Sequence, residues 1–156
     1  TFIKNHMRKR VYVDMDGVMC DFISAFNRAR ETRPEVDFPQ SIPGLFENLD
    51  PWPGAIESVQ KLRAMADVYV LSSPSARNPK SYTEKRIWIE KHFDYELAER
   101  LILSTDKSLL IGDYLIDDYA SGNGQEGFTG ELIQFDSVRF PDWPSVLDYL
   151  SREHRL

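Results

Sequence analysis

The stretch Arg10-Val11-Tyr12-Val13-Asp14-Met15-Asp16-Gly17-Val18 constrains this chain more than any other. Val11, Tyr12 and Val13 are β-branched or aromatic, as a short buried strand prefers. The strand runs directly into two carboxylates, Asp14 and Asp16, and then into a glycine. Gly17 permits a sharp turn at positive φ, or a close approach of the backbone to a ligand. In an open parallel α/β sheet, ligands bind beyond the carboxyl ends of the strands, so the acids stand where such a site would be. Two carboxylates about 4 Å apart repel by roughly 4 kcal/mol at an effective dielectric of about 20. A hard cation such as Mg2+ removes the repulsion, because it takes carboxylate and phosphate oxygens together. Protonation of one acid also removes it. Taken alone, the motif is equally an Asp-rich turn at a strand end.

The rest of the chain alternates between helical and strand patterns. Cys20 to Arg30 is predicted helical, with Phe22, Phe26 and Ala29 on one face. Phe22 opens that face just beyond the acids, and both core packing and ligand contact are open to it. In Thr32 to Pro53, Pro34, Pro39, Pro43, Gly44, Pro51 and Pro53 break any long element. Phe38, Phe46 and Trp52 make the same stretch too apolar for a linker, so a small lid or cap is expected at about residues 20–53. Gly54 to Ala66 returns to helix, with Ile56, Val59, Leu62 and Ala66 in phase, and Asp67 to Leu71 is a second buried strand. That strand ends in Ser72-Ser73-Pro74-Ser75, either an ordinary Ser-Pro loop or a set of hydroxyls and N–H groups facing an anion.

Ser81-Tyr82-Thr83-Glu84 has the form of a capping box and is predicted to start a helix that runs to about Phe93. Lys85 falls in its first turn, where a cation opposes the helix dipole; a bound phosphate would explain it, and so would plain solvation. His92 reads as a surface residue or a partner of the dipole's carboxyl end. Leu101-Ile102-Leu103 is a short strand, followed by Lys107. Ser108 to Asp118 holds two apolar runs, one ending in Gly112-Asp113 and the other in Asp117-Asp118. Ser121 to Gly130 carries four glycines and no apolar period, so it is a loop. Glu131 to Phe135 is a last strand, and Asp142-Trp143-Pro144 sets up a terminal helix with Val146, Leu147 and Leu150 on one side.

This alternation argues for an α/β fold: three-layer, Rossmann-like, with a mainly parallel sheet. Neighbouring strand ends in such a sheet gather at one crevice. Asp14 and Asp16, Ser72 and Ser73, Lys107, and Asp117 and Asp118 then make a coherent site for a metal and a phosphate.

Composition narrows the alternatives. A chain of 156 residues, 42% hydrophobic and 28% charged, suggests a single globular domain over 1–156. No apolar run approaches the roughly 18 residues of a membrane span, so no membrane partner is expected. Thr1 to Arg10 is polar and basic, without a secretory pattern, and Met7 is a candidate natural start. The one cysteine, Cys20, fits a reducing cytoplasm and reads as a small buried residue ahead of a nucleophile. His6 and His154 lie in polar tails, and no His/Cys spacing suggests zinc. The net charge of −6 argues against polymeric nucleic acid as a partner, though not against a single nucleotide.

A phosphate monoester needs a nucleophile, a proton donor for the leaving oxygen and positive charge on the equatorial oxygens. Asp14 can attack phosphorus, and Asp16 can protonate the leaving alkoxide and then activate water. Ser72 and Lys107 can hold phosphoryl oxygens, with Mg2+ on Asp14, the Asp16 backbone carbonyl and Asp118. With these residues in place, the chain resembles the haloacid dehalogenase (HAD) superfamily of phosphotransferases. Asp14 to Val18 resembles its first motif, Val68 to Ser72 its second, Lys107 its third, and the acids of Gly112 to Asp118 its fourth.

Closer still is the similarity to the 5′(3′)-deoxyribonucleotidases, over about Val11 to Leu150. Asp21-Phe22, Pro43 to Phe46, Pro51 to Ala55, Ser72-Ser73-Pro74, Glu84-Lys85, Trp88, Lys107 and Leu115 to Asp118 carry it. The resemblance implies Mg2+ as cofactor and a HAD-type core with a small cap after the first strand. It implies Asp14 as nucleophile, Asp16 as acid/base, and Asp118 as the third protein ligand of the metal beside Asp117. Asp113 is the lower-ranked choice for that metal acid. Phe22 and Phe46 would flank the nucleoside, and Ser72, Ser73, Lys85 and Lys107 would bind or frame the phosphate.

The chain departs from the family in two places. Its lid is shorter than in the animal enzymes, without the aromatic segment that packs on the base. Ala76-Arg77 stands where a lysine follows the second motif. The expected activity is hydrolysis of deoxynucleoside monophosphates through an aspartyl-phosphate. A sugar-phosphate phosphatase and a metal- or phosphate-binding module without turnover are the alternatives. The sequence leaves oligomeric state open, a homodimer included.

Overall fold

The computed structural model describes residues 8–152 and 155–156. Met7, His6 and His154 lie outside them. Strand β1 (Arg10–Val13) is followed by helices α1 (Phe22–Thr32) and α2 (Ala55–Met65) and by strand β2 (Asp67–Ser72). Then come helices α3 (Lys80–His92) and α4 (Tyr95–Ala98), strands β3 (Leu101–Leu103), β4 (Tyr114–Asp117) and β5 (Glu131–Gln134), and helix α5 (Trp143–Ser151). The five strands form one sheet in the order β3-β2-β1-β4-β5, and every neighbouring pair is parallel. The chain winds outward from β1 to β2 to β3, then returns to lay β4 on the other side of β1. Beyond the carboxyl ends of β1 and β4 this reversal opens the crevice at which such sheets bind ligands.

Alternation along the strands sorts the core into two faces. Val11 and Val13 of β1, Val68 and Val70 of β2, and Ile116 of β4 pack in one large cluster with Val59 and Leu62 of α2, Trp88 and Ile89 of α3, and Val146 and Leu150 of α5. Tyr12, Leu71 and Leu115 point the other way, onto Phe128 and Leu110. These last two come from the segments after β3 and β4, whose helical content is two 3₁₀ turns, Lys107–Leu109 and Gln125–Gly127. The α/β architecture with a parallel sheet is as expected. No helix among the described residues is long and apolar enough to cross a membrane.

The lid is tied down rather than loose. After α1, its regular structure is the 3₁₀ turn Pro39–Ser41. Phe46 and Leu49 are buried, the Trp88 indole N–H donates to the Leu49 carbonyl at 2.8 Å, and the Glu47 amide donates to the Glu84 carboxylate at 3.2 Å.

Two local expectations are corrected by the hydrogen bonds that form, one by a local cap and one by a tertiary contact. Helix α1 starts at Phe22 rather than Cys20 because Asp21 caps it, its side chain accepting from the Ser24 amide at 3.2 Å. Ser81 and Glu84 form no capping box. Helix α3 already begins at Lys80 without a side-chain cap, and the buried Ser81 hydroxyl exchanges two 3.1 Å hydrogen bonds with the backbone of Ser75. Lys85 therefore lies two residues further into the helix than the motif implied. The first apolar run of Ser108 to Gly112 is no strand. Leu109 and Ile111 are exposed, and β4 begins only at Tyr114. The genuine capping box is at α5, where Asp142 and Ser145 bond reciprocally.

Trp143 links α5 to the turn after β1: it is fully buried, and its indole N–H donates to the Val18 carbonyl at 2.9 Å. Trp143→Phe keeps an aromatic ring but strands that carbonyl. We expect it to cost about 1–3 kcal/mol, read as a lower urea midpoint at unchanged m-value.

Candidate active site

The site grows from the end of β1. The Asp14 amide still donates into the ladder, to the Ile116 carbonyl at 2.9 Å. The chain then coils tightly, with the amides of Val18, Met19 and Cys20 all donating to the Met15 carbonyl. Gly17 adopts φ of +83°, and a Cβ there would stand 2.2 Å from Asp118 Oδ2. Glycine is thus required both by the backbone and by the acid of the neighbouring strand end.

Asp14, Asp117 and Asp118 each bring a carboxylate oxygen within 4.8 Å of the others. One cation stands among them: the buried Lys107 ammonium donates to Asp14 Oδ1 at 3.0 Å and to Asp117 Oδ2 at 2.5 Å. Asp117 is further engaged, accepting from the Tyr119 amide at 2.9 Å and from Gln125 Nε2 at 3.4 Å. Asp118 Oδ1 is buried without any partner.

Burial pushes the Asp14 carboxyl well up; Lys107 opposes this, and Asp117, Asp118 and Asp16 add to it. Asp118 is pushed up to about 6, chiefly by burial. Burial acts to lower the Lys107 ammonium, but the attraction of Asp14 and Asp117 outweighs it and the net shift is upward. Three carboxylates against one ammonium leave two negative charges when all are ionised. A divalent cation fits that deficit and the orphaned Asp118 oxygen. Asp14 and Asp118 would hold it, because both oxygens of Asp117 are already engaged, Oδ2 by Lys107 and Gln125 and Oδ1 by the Tyr119 amide, whereas Lys107 takes only one oxygen of Asp14.

Asp16 lies on the other side of the turn and is absent from that acid group. Its Oδ2 accepts from the Lys85 ammonium at 2.9 Å, and its Oδ1 is buried without a partner. Lys85 is itself buried, with its ammonium 4.9 Å from the centre of the Phe46 ring. Ser72 ends β2, its hydroxyl buried and unpartnered. The Ser73 hydroxyl is committed to the Ser104 carbonyl at 2.8 Å. Phe22 and Phe46 are stacked on each other, with ring centres 5.6 Å apart and planes 9° from parallel. No base fits between rings already in contact, so any nucleoside lies beside the pair rather than within it.

The acids open into a cavity of about 420 Å³ that also takes in Phe22, Trp52, Ser73, Tyr119, Asn123 and Gln125. Asp113 is not part of it. It precedes β4 at the amino end of the sheet, where its carboxylate accepts from the Arg10 amide at 2.8 Å. The lower-ranked choice of metal acid is thereby removed, because the site lies at the other end of the strand. Cys20 is fully buried, and burial pushes its thiol up, which disqualifies it as a nucleophile. Sequence reasoning missed Gln125 and Asn123, which brace the cluster from the glycine-rich loop; the Asn123 carbonyl accepts from the Lys107 amide at 2.7 Å. Their signal was the glycines: at Gly124 a Cβ would stand 2.1 Å from Asp106 Oδ1.

Comparison with known proteins places these residues in context. The family described as 5′ nucleotidase, deoxy (pyrimidine), cytosolic type C protein matches residues 36–140. A protein of Vibrio phage KVP40, provisionally named a 5′(3′)-deoxyribonucleotidase, is 40% identical over 93% of this chain and 86% of its own. The human cytosolic-type 5′(3′)-deoxyribonucleotidase is 32% identical over 75% of this chain and 74% of its own. A solved Burkholderia xenovorans structure, provisionally described as a haloacid dehalogenase-like hydrolase, aligns at a TM-score of 0.42 and 13% identity, over 71% of this chain and 73% of that one.

Two outcomes test the cluster. Gly17→Ala must displace Asp118 or strain the backbone, so we expect Mg2+ to raise the melting temperature of the wild type and not that of this variant. The second concerns pH. The folded Asp118 holds its proton up to about 6, above its ordinary 3.8, so the metal-free fold binds more protons than the unfolded chain and loses stability as pH rises through this window. Metal binding needs the ionised form. The Mg2+-induced rise in melting temperature is therefore expected to be larger at about pH 7.5 than at about pH 5 by differential scanning calorimetry.

Proposed function

The chain belongs to the 5′(3′)-deoxyribonucleotidase family of phosphatases, and from that premise we propose that it hydrolyses deoxynucleoside monophosphates with the aid of Mg2+. The observation that supports this most directly is the state of Asp14. One of its oxygens is held by Lys107, it sits beside Asp118, whose Oδ1 is unpartnered, and it lies at the wall of an open cavity. In this reading the Asp14 oxygen outside the lysine pair attacks phosphorus and forms an aspartyl-phosphate, while the nucleoside oxygen leaves with a proton from Asp16. Asp16 then takes a proton from water as that water attacks phosphorus, which releases phosphate and restores Asp14.

Lys85 has two parts to play. At rest it holds Asp16 at 2.9 Å, and an arriving phosphate competes for its ammonium, which frees Asp16 to carry a proton. The orphaned Ser72 hydroxyl and Lys107 take phosphoryl oxygens. Asp14 and Asp118 would hold a Mg2+ ion, which would supply the remaining positive charge. A cytoplasmic setting suits the one buried thiol.

The test is phosphate release from dUMP, dTMP, UMP, 3′-dUMP and several sugar phosphates, with Mg2+ or with EDTA. Deoxynucleotides are expected to be cleaved best, EDTA to stop the reaction, and Asp14→Asn to lower it at least about a thousand-fold. A preference for sugar phosphates would retain the chemistry and replace the substrate. Absence of any cleavage with retained Mg2+ binding would leave a binding module.

A further inference from the structure

We propose that the Gln40 carboxamide reads the hydrogen-bonding edge of the nucleobase, a role that rests on the nucleotide reading above. A second cavity, of about 300 Å³, adjoins the one that holds the acids; Asp16, Phe22, Ser73 and Asn123 line both. A phosphoryl group placed at Asp14 directs the rest of its ester across that shared wall. The far side of the second cavity is lined by Phe26 and Phe46 and, from the lid, by Gln40.

Gln40 is anchored at its backbone, and its side chain borders the second cavity. It lies on the 3₁₀ turn Pro39–Ser41, and its carbonyl accepts from Nδ2 of the buried Asn78 at 2.9 Å. Its side-chain Oε1 is shielded from water and has no hydrogen-bond partner. Native structures seldom leave such an oxygen unmet, because an unsatisfied buried acceptor costs about 1–3 kcal/mol. The side chain that carries it lines a cavity, so a half-turn of the amide brings the oxygen to a ligand's donor.

The chemistry of the lining identifies that ligand. Phe22 and Phe26 offer apolar surface to a flat ring, with Phe46 stacked behind Phe22, and the carboxamide offers one acceptor and two donors side by side. A pyrimidine edge carries a donor and an acceptor on neighbouring atoms. A half-turn of the amide matches either order, as glutamine does on base edges elsewhere. A bare sugar phosphate would leave both the rings and the carboxamide unengaged. Gln40 thus stands in for the aromatic segment that the shortened lid lacks.

The experiment compares wild type with Gln40→Met, which keeps chain length and shape but removes both hydrogen-bonding groups. Hydrolysis of dUMP and of 2-deoxyribose 5-phosphate, which has no base, is measured alongside equilibrium binding of deoxyuridine. For dUMP, kcat/KM is expected to fall about 10- to 100-fold, mainly through KM. The base-free ester should change by less than about twofold, and deoxyuridine affinity should fall by the same factor as dUMP. Equal losses on both esters would make Gln40 structural and overturn the proposal, as would no loss on either. Deoxyuridine binding that is absent, or identical in the two proteins, would overturn it as well. Gln40-dependent deoxyuridine binding without hydrolysis of either ester would sink the phosphatase reading and leave this inference standing.

Discussion

Everything at the crevice hangs on one buried ammonium. A lysine as deep as Lys107 would cost several kcal/mol if unpaired, and so would either acid beside it. Together they hold one another: Lys107 bridges Asp14, just past β1, and Asp117, at the end of β4. The glycine-rich loop closes the arrangement from outside, through the Asn123 carbonyl on the Lys107 amide and Gln125 on Asp117. The end of β1 is thereby locked at one point to three short stretches of the segment 107–125. The lock leaves charge unbalanced on the side of Asp118, which is where a cation is called for.

That unbalanced side is shaped by an absence of atoms. Gly17 lets Asp118 come where a Cβ would stand, so the acid of one strand end can reach the turn after the other. Behind the turn, Trp143 holds the Val18 carbonyl and fixes the coil that carries Asp16. The acid/base candidate and the nucleophile candidate therefore have different surroundings although they are two residues apart. Asp14 is enclosed with Lys107, and Asp16 faces Lys85 across the lid side.

The lid makes up for its shortness by being fastened. Glu84 takes the Glu47 amide, Trp88 takes the Leu49 carbonyl, and Asn78 takes the Gln40 carbonyl. All three anchors lie on α3 or the loop before it, the same part of the chain that supplies Lys85. Lys85, one of the groups that would meet the phosphate, and the fastened lid are thus set by one helix. A lid held this way presents its few side chains in fixed positions, which suits recognition by a small number of polar contacts.

The chain's own pattern determined the parallel α/β sheet, the strand ends bearing Asp14, Ser72 and Asp117-Asp118, and the importance of Lys107. These are local properties: apolar runs make strands, periodic helices force parallel connections, and parallel strands bring their carboxyl ends to one edge. What local pattern does not contain is which residue wins a partner from far away. Ser81 and Glu84 spell a cap yet serve Ser75 and Glu47, because burial rewards the tertiary bonds more than the local ones. Asp113 reads like Asp118 but precedes its strand, so it faces Arg10 at the opposite end. Lys85 meets an acid 69 residues away, and Gln40 is an unremarkable glutamine until the fold deprives its oxygen of water. Strand ends are written residue by residue; partners exist only once register and packing have put separated segments within a hydrogen bond of each other.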